Sequence, residues 1–200
     1  MNIAVLASGN GTNFEAIVRS VEKGKLKNAT IKFLISDKKD AFVLNRAEKH
    51  KIKSLFIDPK RFKSRILFDK EIVRILKKER IGLVVLAGFM RILSPYFVKA
   101  FKNKILNIHP ALLPSFKGKS AIKEAYEYGV KVTGVTIHFV DNGVDHGPII
   151  FQKALKIKEK ESLDSLEIRI HRLEHRLYPE AIKLFIQRRL KVSGRKVTII

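Results

Sequence analysis

The sequence predicts an α/β fold: a mostly parallel, twisted sheet with helices on both faces and antiparallel strands in the C-terminal half. Three observations carry this. Short apolar runs alternate with amphipathic segments of helical period through the first half of the chain. A polar glycine loop, Ser8–Asn13, joins the first apolar run to the first amphipathic one. Later, Thr133–Val140 alternates apolar and polar residues, the pattern of antiparallel pairing.

In chain order, Asn2–Ala7 reads as a buried parallel strand, and Phe14 to about Lys23 as a helix through Phe14, Ile17, Val18 and Val21. Gly24 suits the stop after that helix, because it can adopt the left-handed conformation there. Ile31–Ile35 reads as a strand, Asp40–His50 as a helix and Ile52–Ile57 as a third strand. Asp58-Pro59 breaks the chain before an amphipathic helix over Ser64–Lys78, and Gly82–Ala87 is a fourth strand apolar on both sides. Further strands are expected at Lys104–Ile108, Thr133–Val140 and Ile149–Ile157. Ser162 caps a long helix to about Arg188, which Pro179 should kink or divide. Leu190–Ile200, with Ser193-Gly194 at a turn, reads as a small hairpin.

The chain has 200 residues, 46% hydrophobic, enough for a large core. It is expected to be a single domain over 1–200, with a half of about 1–100, a half of about 101–188 and a short basic tail. There is no cysteine, which excludes disulfides and thiolate chemistry and fits a reducing, cytoplasmic setting. No apolar run approaches the roughly 20 residues of a membrane span, and the N-terminus lacks the features of a signal peptide. The net charge of +22 has two readings, a polyanionic ligand or a bias toward Lys spread over solvated faces. The even spread of basic residues favours the second. Two gaps resist it: no Asp or Glu lies between Glu79 and Glu124, and none follows Glu180. A positive field is therefore expected at the active site.

The loop Ser8-Gly9-Asn10-Gly11-Thr12-Asn13 offers free N–H groups at a helix start, which favour an anion. No Gly-Lys-Ser/Thr follows, and Phe14 stands where a dinucleotide fingerprint needs its third glycine. The loop alone fits two readings, a single-phosphate site or an ordinary strand–helix turn capped by Thr12 or Asn13.

Asn107-Ile108-His109-Pro110 follows the fifth strand, and alternation puts Asn107 and His109 on one face at the edge where open α/β sheets bind ligands. An Asn amide can hold a carbonyl oxygen that gains negative charge, and a His can donate to that oxygen or move a proton. Asp145 sits in the turn Val140–Pro148; near His109 it would raise the histidine pKa and favour the imidazolium. That turn is no calcium loop, because Gln152 stands where the bidentate Glu is needed. His171 and His175 lie four apart on the last helix with Glu174 between them, but no third metal ligand is evident and no metal is expected.

Three stretches carry a resemblance: VLASGNGTN (Val5–Asn13), LAGFMRILSP (Leu86–Pro95) with LNIHPALLPSFKG (Leu106–Gly118), and TGVTIHFVDNGVDHGP (Thr133–Pro148). From Met1 to about Pro179 the chain resembles the glycinamide ribonucleotide transformylase family of folate-dependent formyltransferases. The resemblance implies a Rossmann-like formyltransferase fold. It also implies formyl transfer from 10-formyltetrahydrofolate to the amine of glycinamide ribonucleotide in de novo purine synthesis. Asn107, His109 and Asp145 match the catalytic trio. Gly11, Thr12 and Asn13 match a substrate-phosphate loop, and His171, Arg172, Leu173 and Glu174 a second substrate contact. Arg65, the run Met90, Arg91, Ile92 and Leu93, and the loop Asp141, Asn142, Gly143, Val144 and Asp145, with Asn107, match the folate pocket.

The implied partners are small molecules, with neither a membrane nor a nucleic acid, and the implied assembly is a monomer or homodimer. The chain departs from many relatives in carrying Ile122 where they have His, and in its charge. A methionyl-tRNA formyltransferase would need a C-terminal β-barrel and a formyltetrahydrofolate hydrolase an N-terminal regulatory domain, and neither is expected here. A non-enzymatic RNA-binding protein would explain the charge but not the trio.

Overall fold

Strand β1 (Asn2–Leu6) is buried from Ile3 onward and pairs in parallel with β2 (Thr30–Ser36) and β4 (Leu83–Leu86) in the computed structural model, which describes residues 1–200. β3 (Ser54–Phe56) extends the sheet beyond β2, again in parallel. With β5 (Ile105–His109), β6 (Val132–Phe139) and β7 (Ile149–Lys156), these strands form one seven-stranded sheet in the order β3-β2-β1-β4-β5-β6-β7. The β6–β7 pair is antiparallel, as the alternation of Thr133–Val140 predicts. The expected α/β class and its antiparallel C-terminal half are thus observed.

The chain forms two compact units, Met1–Leu106 and Asn107–Ile200. The first holds α1 (Thr12–Glu22), α2 (Val43–Lys49), α3 (Arg65–Lys78) and α4 (Pro95–Ala100). Its core includes fully buried Ile3, Leu6, Phe14, Ile17, Leu34, Ile72 and Leu76, each stabilising by roughly 1.5–3 kcal/mol. Ser64 caps α3 by accepting the Leu67 N–H, and Gly24 takes the left-handed conformation (φ 69°) just past α1. The 43–49 helix and the 54–56 strand are shorter than the sequence predicts. Helix α4 is an element beyond those the sequence predicts, although Ser94 caps it and Pro95 opens it, a helix-start signature.

The second unit holds α5 (Ala121–Tyr128), α6 (Leu163–Ile186) and a two-stranded sheet of β8 (Leu190–Ser193) and β9 (Lys196–Ile199). The hairpin at the C-terminus is as expected. Helix α5 was not foreseen; it ends at left-handed Gly129 and buries Ala121, Ile122 and Ala125. Ile122 is therefore a core residue here. Ser162 caps α6 as predicted, but Pro179 does not divide it. A mid-helix proline costs about 3 kcal/mol. Fully buried Tyr178, Ala181 and Ile182 flank it, and the aromatic and aliphatic side chains recover roughly 1.5–3 kcal/mol each, so packing outweighs the break. No helix is long and apolar enough to cross a membrane.

Candidate active site

The site of the second unit is built where β5 ends. Strand alternation puts half-buried Asn107 and buried His109, 2% exposed, on one face. The third member comes from the turn between β6 and β7. That turn is tight: a Cβ on Gly147 would stand 1.8 Å from the Phe139 carbonyl oxygen, so only glycine fits. Asp145 itself takes a left-handed backbone conformation (φ 45°), uncommon for a side-chain-bearing residue and costing of order 1 kcal/mol or more.

The three predicted side chains converge. His109 Nδ1 lies 3.4 Å from Asp145 Oδ2, and Asn107 Nδ2 donates to Asp145 Oδ1 at 3.3 Å. The Gly118 N–H donates to Asp145 Oδ2 at 2.9 Å. On the other side of the imidazole, Nε2 donates to the Phe116 carbonyl at 2.7 Å.

A fourth residue, missed by sequence reasoning, completes the cluster. His138 is 2% exposed, with Nε2 3.2 Å from Asn107 Nδ2 and 3.8 Å from Asp145 Oδ1. Its Nδ1 lies 2.8 Å from the Phe139 carbonyl, which makes Nδ1 the donor and leaves Nε2 to accept from Asn107. Both hydrogens of the Asn107 amide then have acceptors, one on Asp145 and one on His138. The only sequence signal for His138 is a titratable residue between the apolar Ile137 and Phe139 of a predicted strand.

The electrostatics correct one expectation. Asp145 pulls the His109 pKa upward as expected, but the imidazolium it was expected to favour is not the preferred form. Burial dominates instead and holds the pKa below the ordinary histidine value, against the upward pull of Asp145, the Phe116 carbonyl and Glu174. Burial also pushes Asp145 upward. The Gly118 N–H and His109 help to outweigh it and hold the carboxylate below its usual range, so Asp145 is an anion at neutral pH.

On α6, His171 Nδ1 meets Glu174 Oε2 at 2.9 Å, and this contact raises the His171 pKa. The His171 ring stacks on His175 with centroids 6.4 Å apart. Arg172 is exposed and Leu173 buried.

In the first unit, the glycine loop is held from several sides. Gly11 is left-handed (φ 74°) and stands at the helix N-cap with no side-chain cap, so neither Thr12 nor Asn13 caps α1. The Val43 N–H donates to the Gly9 carbonyl, and Arg46 Nε donates to the Asn10 carbonyl at 2.8 Å. Ser8 Oγ donates to Asp37 and accepts the Met90 N–H. With its carbonyls engaged and its helix start uncapped, the loop keeps the character of an anion site. Of the other residues matched to the folate pocket, Arg65 is exposed at the first position of α3, and Met90 and Ile92 are exposed. Leu93 is buried, and the Arg91 guanidinium lies 4.9 Å from the Phe68 ring centroid.

The family model described as "Formyl transferase" matches residues 1–182. The chain belongs to the formyl transferase family. Among curated relatives of this formyl transferase, phosphoribosylglycinamide formyltransferase of Bacillus subtilis is 45% identical over 90% of this chain and 92% of its own. The trifunctional purine biosynthetic protein adenosine-3 of Homo sapiens is 43% identical over 91% of this chain but 18% of its own length. Among solved structures, glycinamide ribonucleotide transformylase 1 from Symbiobacterium toebii superposes with a TM-score of 0.97 at 44% identity, covering 100% of this chain and 94% of its own.

Proposed function

We propose that this formyl transferase moves the formyl group of 10-formyltetrahydrofolate onto the amine of glycinamide ribonucleotide, in cytoplasmic purine biosynthesis. The names of its relatives support the reaction, and the cluster of Asn107, His109 and Asp145 carries it.

The amine nitrogen attacks the formyl carbon and gives a tetrahedral oxyanion. The bond to N10 of the folate then breaks, N10 takes up a proton, and the proton lost by the amine balances it. His109 donates through Nε2–H, the formyl oxygen replacing the Phe116 carbonyl as its acceptor. As negative charge grows on that oxygen, the proton affinity of the pair rises, and the anionic Asp145 beside Nδ1 stabilises any imidazolium that forms. Asn107 contributes an amide N–H once that hydrogen turns from Asp145 toward the oxyanion, the other staying on His138. Asp145, directly or through water, accepts the amine proton. Gly11, Thr12 and Asn13 bind the substrate phosphate through N–H groups at the start of α1, and His171 and Glu174 contact the rest of that substrate. Arg65, Met90–Leu93 and Asp141–Asp145 serve the folate.

A panel of acceptors tests this reading. Consumption of 10-formyltetrahydrofolate with glycinamide ribonucleotide, and not with charged methionyl-tRNA or with water alone, is the expected result. Turnover confined to either of the other acceptors overturns it.

A further inference from the structure

The C-terminal hairpin has no part in the chemistry just described, yet its turn grips the loop that carries Asp145. Ser193 pairs with Lys196, so Gly194 and Arg195 form the tip. Arg195 Nη2 donates to the main-chain carbonyl of His146 at 2.7 Å, and Nη1 lies 3.0 Å from Nε2 of the same residue. Nη1 is also 3.2 Å from Nδ1, which itself lies 2.7 Å from Asp141 Oδ2, and Asp141 Oδ1 accepts the Gly143 N–H at 3.0 Å. These contacts bracket Asp145 on both sides of its left-handed backbone. A residue in that conformation persists only where its surroundings over-determine it. Gly147 locks one flank by close approach to Phe139, and the hairpin supplies the tie on the solvent side.

We propose that Arg195 is a positioning residue for formyl transfer: its guanidinium, bonded to the carbonyl and ring of His146, holds the 141–146 loop in the conformation that presents Asp145 to His109. This rests on Asp145 acting as the catalytic carboxylate. Arginine suits the task because its planar fork reaches two acceptors at once; a lysine ammonium, a single point charge, makes a poor substitute.

The test compares Arg195→Ala, Arg195→Lys, Lys196→Ala and Asp145→Asn in the full chain. For each, kcat, KM for both substrates, the melting temperature and amide hydrogen exchange over residues 141–147 are measured. Arg195→Ala should lower kcat/KM about tenfold or more, since small misplacements of a reacting group have effects of that order. It should also speed exchange in the loop while leaving the melting temperature close to that of the unmodified protein. Arg195→Lys should fall between, and Lys196→Ala, an exposed neighbour on the same turn, should match the unmodified protein. Unchanged kcat/KM and exchange in Arg195→Ala would overturn the proposal. So would an equal loss in Lys196→Ala, which would mark a general effect of the hairpin. Asp145→Asn separates the two levels. If it is inactive while Arg195→Ala behaves normally, only the role of Arg195 fails. If it keeps full activity, the assignment of Asp145 fails and the role of Arg195 with it.

Discussion

Nδ1 of His109 faces Oδ2 of Asp145 at 3.4 Å, and Nε2 across the ring meets the Phe116 carbonyl at 2.7 Å. Each ring nitrogen therefore points at an acceptor, in a pocket whose burial works against the charged form. This contact joins the end of one strand to the turn after another, and it is the centre of the proposed catalyst. His109→Asn should lower kcat by roughly 10²–10⁴, the usual range for a general acid–base group. Steady-state kinetics check this, with circular dichroism to establish that the fold is retained.

The same burial has a consequence for stability. The folded pKa of His109 lies below its unfolded value of 6.5, so the unfolded chain binds the proton more readily. The stability contributed by neutral His109 is complete above pH 6.5 and is lost as pH falls through the folded pKa. Thermal unfolding between about pH 8 and 5 should show a smaller acid-induced loss in His109→Asn than in the unmodified protein. Parallel curves for the two proteins would contradict this.

His138 orients Asn107 by accepting one amide hydrogen. Its replacement by Ala should release the amide and lower kcat/KM by roughly tenfold, as when a buried polar network is left partly satisfied. His138→Gln, whose amide oxygen can still accept, should recover part of the loss. Equal activity in the two variants would show that acceptance by residue 138 is not the operative feature.

Gly11 admits no side chain. A Cβ there would lie 2.3 Å from Val43 Cγ2 on a backbone already at φ 74°. Gly11→Ala must displace the loop or α2, at a cost of about 1–3 kcal/mol. KM for glycinamide ribonucleotide should rise tenfold or more by order of magnitude, with a smaller change in KM for the folate. A variant with both KM values unchanged would remove the phosphate role from this loop.

Glu174 raises the His171 pKa through a 2.9 Å contact. A raised pKa stabilises the fold fully below the unfolded value of 6.5 and ceases to do so as pH rises through the folded one. In Glu174→Gln the His171 titration, followed by proton NMR, should move to lower pH. No movement would mean that the carboxylate does not set the charge of that ring.

Much of the fold and of the site was legible beforehand, for local reasons. Val5, Leu6, Val84 and Val85 lie in runs apolar on both faces because parallel strands are covered on both sides. Asn107 and His109 could be paired because strand alternation is a local rule, and Ser64 and Ser162 because capping acts within three residues. His138 was not legible as a site residue, because a polar residue in a strand carries no mark of what it will meet. Helices α4 and α5, of six and eight residues, are too short for periodicity to declare them.

The sequence by itself determined the α/β class, the order of the principal elements, the glycine loop and the identity of the proposed trio, since each depends on periodicity, backbone chemistry or a short motif. Only the tertiary structure decided the charge preference of His109, the orientation of the Asn107 amide, the continuity of α6 through Pro179 and the grip of Arg195 on His146. Those four depend on desolvation and on contacts between residues distant in the chain. Their energies, a few kcal/mol at most, outweigh the local preferences from which a sequence is read.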